Sequence, residues 1–431
     1  MCWVSGICIF WGSLAMKVVS VLSGLVLLAM AAFALGMWTT HKSWLPWQAV
    51  TELRQSWHTY KRTGMLLPHG TYVRRKDDMS DMPYEAFEPD LITPGYVLIN
   101  RLQLPEHEYV SELFDAEGKM LHRWRIDYSQ MVDGGNPSEF NHIATALPDG
   151  SLLVNFDDAT ALARIDACGT PLWALTDQVY HHSIRPDETG YWTWRSVKWD
   201  GGHDQTMLRF DIDTGAELEA IDLVDDVITG DAAAELAMTI PEDYRYTRGA
   251  ADESEAVDIF HPNDVEPLPA DIADAFPQFE AGDLLMSLRN IHTLAVVDRK
   301  TRKLKWHQTG PWRDQHDADW HADGTITMYS NNIDRGRTSI MRVDPKTGQT
   351  EDIFRGTGFR FSSYIMGQHQ LLPGGNWLIT APLEGRVIEV AADGTRVREF
   401  NNVLDDTYNG IVTYGEHLPP DYFDALPSCN S

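Results

Sequence analysis

The sequence predicts an all-β fold, a six-bladed β-propeller that follows an N-terminal membrane-anchor or signal helix. Three observations carry the prediction. Short β-rich runs separated by Gly, Asp, Asn and Pro fill the chain from about residue 95 to about 415. Strand–turn–strand units recur roughly every 40 to 50 residues, the length of a four-stranded blade. One nearly continuous apolar run, residues 18–37, stands apart near the N-terminus.

That apolar run defines the leader, residues 1–42. It lies between Lys17 and His41-Lys42, and roughly 20 apolar residues suffice to cross a bilayer. Ala32-Phe33-Ala34 offers a signal-peptidase site, although the run is long for a cleaved signal. An uncleaved anchor, a cleaved signal and a buried helix of the fold are the three readings. The first two place the body outside the cytoplasm, in the periplasm or an equivalent space, with the helix in the inner membrane if it is kept. Residues 43–94 read as a linker with some helix, the helical periodicity falling on Gln48 to Trp57.

From Gly95-Tyr96-Val97-Leu98-Ile99-Asn100 onward the pattern is that of a ring of repeats, assigned to residues 95–431. Six units begin near residues 95, 140, 180, 260, 315 and 364. Each opens with a polar head and a strand, then a Pro/Asp/Gly turn and an apolar strand, as in Asn141-His142 through Pro148-Asp149-Gly150 to Val154. Third strands run into Asp-containing turns, as at Asp166 to Gly169, Asp211 to Gly215 and Asp344 to Gly348. Aspartate caps its own turn and glycine supplies the positive φ that a tight hairpin needs. Radial repetition leaves few exposed sheet edges. Residues 222–258, acidic and helix-prone at Asp231 to Leu236, read as an insertion between blades.

The net charge is −28, from 35 Lys and Arg against 63 Asp and Glu. This opposes nucleic acid and anionic headgroups as partners, because both are polyanions. An anionic substrate would need a local cluster of positive groups. Of four cysteines, Cys168 and Cys429 lie in the body, and the sequence leaves open whether they pair.

In a propeller the loops entering the innermost strands open on the central channel, so equivalent unit heads converge. The heads carry His142, His182, His261, His316 and His369, five of the chain's 16 histidines. A lone histidine is usually structural, but this shared register points to a common site. Three chemistries suit it. Imidazoles ligate metals, although no His-Glu-x-x-His motif is present. Histidines also serve as nucleophile and as acid or base on an anion. A third reading is a binding propeller whose histidines are lining only. The anion reading needs a fixed cation, and Arg289, ending the strand after the His261 head, supplies one unless it forms a surface ion pair. Tyr180, Tyr191, Trp192, Trp194, Trp312, Trp320 and Tyr364 are candidates for stacking an aromatic ligand or for plain core.

Four stretches carry a family resemblance: Phe260-His261-Pro262-Asn263-Asp264-Val265, Asp283 to Arg289, Gln315-His316-Asp317-Ala318, and Met366 to Ile379 followed by Glu384 to Val390. In their order and blade phase the chain resembles the bacterial arylsulfotransferases, PAPS-independent enzymes of the periplasm with a six-bladed propeller. The resemblance implies transfer of a sulfuryl group from an aryl sulfate donor to a phenolic acceptor, with no cofactor and no metal. It implies that His316 is the nucleophile, forming a sulfohistidine. His261, Asn263 and Arg289 would hold the sulfuryl oxygens. His182 would protonate the leaving phenolate and later deprotonate the acceptor, His142 being the other candidate for that role.

Overall fold

The structure is a computed structural model that describes residues 5–41, 72–75, 79–103, 106–156, 159–196, 205–228, 231–236, 259–332, 337–354 and 360–429. The chain divides into Met1–Gly70 and Thr71–Ser431. In the first unit, a helix over Ser5–His41 contains the exposed apolar segment Val19–Gly36, long and apolar enough to cross a membrane. A signal sequence passes the same test. The periodicity at residues 48–57 lies outside the described residues.

The second unit is a six-bladed propeller. Blade 2 comprises Asn141–Ala146, Leu152–Phe156, Leu162–Ile165 and Pro171–Leu175, paired in sequence order from the inside outward. Blades 3, 4 and 5 repeat this order from the innermost strands Val179–Pro186, Pro262–Pro267 and His316–Trp320. Blade 6 starts at Gln368–Leu371 and gains a fifth, outermost strand, Tyr84–Ala86. Blade 1 is the exception. The unit that starts near residue 95 supplies only its three outer strands, Tyr96–Gln103, Glu108–Phe114 and Met120–Ile126. Its innermost strand is the C-terminal Val412–Leu418, antiparallel to Tyr96–Gln103. The last strand therefore closes the ring. Tyr72–Arg74 pairs with Tyr408–Gly410 just before it.

Among the described residues, six clusters of buried side chains each join neighbouring blades. Leu98 and Trp124 of blade 1 meet Val154 and Phe156 of blade 2, and Leu378 and Val387 of blade 6 meet Val97 and Val412 of blade 1. Because each blade is packed on both faces, middle strands such as Leu284–Leu288 are buried throughout and show no alternation. Gly415 sits where the closing strand passes blade 6. A Cβ there would lie 2.6 Å from Thr380 Oγ1 and 2.9 Å from Val387 Cγ2, so the close approach requires glycine.

The turns follow the sequence reading. Asp211 Oδ1 accepts from the backbone N–H groups of Asp213 and Thr214, and Asp344 and Asp298 cap their turns the same way. The glycines that follow, Gly215 and Gly348, have φ of 71° and 73°. Of the acidic insertion, Leu223–Val227 forms a helical turn that buries Leu223, Val224 and Val227, and Asp231–Glu235 a short helix; residues 229–230 and 237–258 lie outside the described residues. Cys168, in the outer hairpin of blade 2, is disulfide-bonded to Cys429, with Cα atoms 4.9 Å apart.

Candidate active site

Regular strands would send the residues of each head alternately to opposite faces of the blade. The innermost strands break that rule at the heads. Pairing register shifts between His181 and Ile184, between Pro262 and Asp264, between His316 and Ala318, and between Asn141 and Ala144. His182, His261 and Asp317 are left-handed, with φ of 58°, 43° and 52°. Bulges re-aim side chains, and here they gather four imidazoles from four blades. The His182 ring centroid lies 5.3 Å from that of His142, 5.1 Å from His261 and 6.4 Å from His316. His142, His182, Asn263 and His316 line one small cavity of about 30 Å³ together with Arg185 and Tyr414.

His316 is held by a set of bonds that fixes its proton. Asn331, at the end of the strand paired with His316, donates its Nδ2 hydrogens to Ser363 O (3.0 Å) and Met366 O (2.8 Å). Its Oδ1 therefore faces the His316 ring, and accepts from Nδ1 at 2.7 Å; Asp314 O accepts from the same nitrogen at 3.1 Å. Two acceptors around Nδ1 place the proton there and leave the lone pair on Nε2. Burial pushes the pKa of His316 down to about 3, and the positive charge of Arg289 adds to the effect. The ring is neutral at physiological pH, with the lone pair on Nε2.

Arg289 opens a short turn, Arg289–Ile291, and its backbone N–H donates to His261 O at 3.2 Å, tying cation and histidine together. Asn263 Nδ2 donates to Gln315 O at 2.7 Å. That bond uses one of its two N–H groups and steadies the residue before His316.

His369 goes elsewhere. Its strand pairs with Trp377–Ala381 without a register shift. Its Nδ1 donates to Asp317 Oδ2 at 2.8 Å, Thr327 Oγ1 lies 2.6 Å from Nε2, and the ring stacks on Trp377. It borders a second cavity of about 340 Å³ that shares Arg185, Asp317, Gln368 and Tyr414 with the first and is otherwise lined by Glu266, Asp319 and Glu416 among others. Arg185 bonds Asp264, Asp317 and Asp319. Asp317, Asp319 and His369 lie close enough to share a metal ion. Both nitrogens of His369 are committed, however, and Arg185 bonds both aspartates, so the trio is part of a buried network of hydrogen bonds with the Arg185–Asp317 ion pair at its centre. Burial, followed by the charge of Asp317, holds the Asp319 pKa well above the usual carboxylate range.

Tyr180, Trp192, Trp194, Trp312 and Trp320 are buried core residues, Tyr191 is half-buried and Tyr364 is exposed. None of the seven lines the histidine cavity. Asn331, His181 and the Arg185 network are additions that the sequence reading did not single out.

The fold and site together define a six-bladed propeller that gathers imidazoles from four blades, with the charge of Arg289 acting on one of them, His316. The arylsulfotransferase (ASST) family profile matches residues 144–402, and the chain belongs to that family. No curated protein matches it. Similar solved structures include a protein of unknown function from Bacteroides caccae, 11% identical with a TM-score of 0.46, covering 74% of this chain and 99% of its own. TolB from Acinetobacter baumannii is 12% identical with a TM-score of 0.45, covering 74% and 66%. A streptogramin B lyase is 10% identical with a TM-score of 0.40, covering 75% and 88%. None of these three bears on function.

Proposed function

We propose that this protein is a PAPS-independent sulfotransferase that carries a sulfuryl group from an aryl sulfate to a phenol through a sulfohistidine at His316. The observation that carries the reading is the state of His316: neutral, protonated on Nδ1, with the lone pair on Nε2. In the first half-reaction Nε2 attacks sulfur, the S–O bond to the aryl group breaks, and the phenolate leaves. Arg289 and His261 hold the sulfuryl oxygens and stabilise the charge that shifts onto them, with the second N–H of Asn263 available to them. His182, with His142 as its neighbour, protonates the leaving oxygen and later takes the proton of the acceptor. The histidine cavity, about 30 Å³, leaves no room for an aryl ring, which stays outside it. Export to the periplasm is supported by the apolar helix and by the Cys168–Cys429 disulfide.

Steady-state kinetics of the full-length chain with 4-nitrophenyl sulfate and phenol test this. The expected result is a ping-pong pattern that His316→Ala abolishes. Arg289→Met should lower kcat/KM by roughly 10²- to 10³-fold, as loss of one oxyanion donor does. Inertness toward a panel of aryl sulfates would leave a binding propeller.

A further inference from the structure

His181 has no part in the reading above, yet it is buried and its ring meets that of His182 edge-on, centroids 4.9 Å apart. The two Nδ1 atoms are 2.6 Å apart. Two imidazole nitrogens at that distance have one proton between them, and so short a bond suits a charge-assisted pair. Adjacent strand residues normally face opposite ways. These two meet because His182 is left-handed at the bulge between His181 and Ile184, and backbone strain of this kind collects at functional sites.

We propose that His181 and His182 form one acid–base unit, in which His181 is the positioning residue that shares a proton through the paired Nδ1 atoms and lets His182 Nε2 act first as acid and then as base. This rests on the sulfuryl-transfer reading. With Nδ1 committed to His181, proton exchange with substrate runs through Nε2, on the far edge of the ring. The pair starts with three ring protons and one positive charge. As the S–O bond breaks and the N–S bond to His316 forms, His182 Nε2 gives its proton to the phenolate. The proton on His181 Nδ1 passes to His182 Nδ1, so both rings end neutral and neither becomes an imidazolate. When the acceptor phenol attacks sulfur and the N–S bond breaks, its proton returns to His182 Nε2 and the shift reverses. The charged pair also faces the sulfuryl anion. Around His182 stand His142 of blade 2, His261 of blade 4 and His316 of blade 5, with Arg289 acting on His316.

The test compares two donors in the half-reaction that loads His316. 4-Nitrophenyl sulfate has a leaving group that needs no acid; phenyl sulfate has one that does. His181→Asn keeps a hydrogen-bond donor near the Nδ1 position but cannot pass on a proton, and His181→Phe removes both. Loading from phenyl sulfate should fall on the order of 10²-fold in both variants, and loading from 4-nitrophenyl sulfate only a few-fold. Equal losses on the two donors, or recovery of phenyl sulfate turnover in His181→Asn, would overturn the relay. If wild-type protein is loaded by neither donor, the sulfotransferase reading fails instead. The shared proton is then judged by NMR of the resting protein: a low-field resonance coupled to both Nδ1 atoms supports the pair, and its absence refutes it.

Discussion

Asn331 is anchored from two sides, through Ser363 O and Met366 O, and so cannot turn its amide without losing both bonds. It is a positioning residue for His316. Asn331→Ala should leave Asp314 O alone to hold the Nδ1 proton, loosen the ring's tautomer and orientation, and lower kcat by about 10-fold or more, with KM little changed. An equal fall in KM-linked binding, or a chain that no longer folds by circular dichroism, would argue for a packing role alone. The sequence made His316 visible because it heads a strand that ends in an Asp-Gly turn. Asn331 stands 15 residues later and becomes a partner only once its strand pairs with that of His316. His369 shows the converse. Its place in the repeat matched the other heads, but its strand is unbroken, and without a bulge its ring turns to Asp317.

At the level of elements, the blade starts near 140, 180, 260, 315 and 364 were legible because the apolar runs and Asp-Gly turns are local signals. The true inner strand of blade 1 was not. It lies at the other end of the chain, and pairing between Val97 and His417 leaves no local trace. The tail after that strand is tied by the disulfide between Cys429 and Cys168 of blade 2. The bond spans 261 residues of sequence, so it restricts the unfolded chain strongly. Cys168→Ser should cost about 2–5 kcal/mol, read from a lower denaturant midpoint, with an m-value that rises as the freed unfolded chain exposes more surface. Sulfuryl transfer should persist below the new midpoint.

For the whole molecule, the net charge of −28 hid a division within the channel. His142, His182 and His316 line the small cavity, while Asp264, Glu266, Asp317, Asp319 and Glu416 gather around Arg185 beside it. Burial raises the Glu416 pKa to about 7 and that of Glu266 to about 8. A carboxyl raised in the fold contributes stability that is full below about pH 4.5 and is lost as pH rises through its folded pKa. Glu416→Gln should therefore shrink the loss of Tm between pH 5 and pH 8. An unchanged difference would contradict the assignment. His316 and His321 act in the opposite direction. Their pKa values, pushed down to about 3 and about 4 chiefly by burial, mean that the unfolded chain binds protons the fold refuses. Stability then falls as pH drops below about 6.5.

The central claim is that His316 carries the sulfuryl group. Protein exposed to 4-nitrophenyl sulfate without acceptor, then mapped by peptide mass spectrometry under mildly alkaline conditions, tests it directly. A sulfuryl adduct on His316, formed with a burst of nitrophenol and discharged by added phenol, is the expected result. An adduct on His142, His182 or His261, or turnover with no adduct on any histidine, would contradict it.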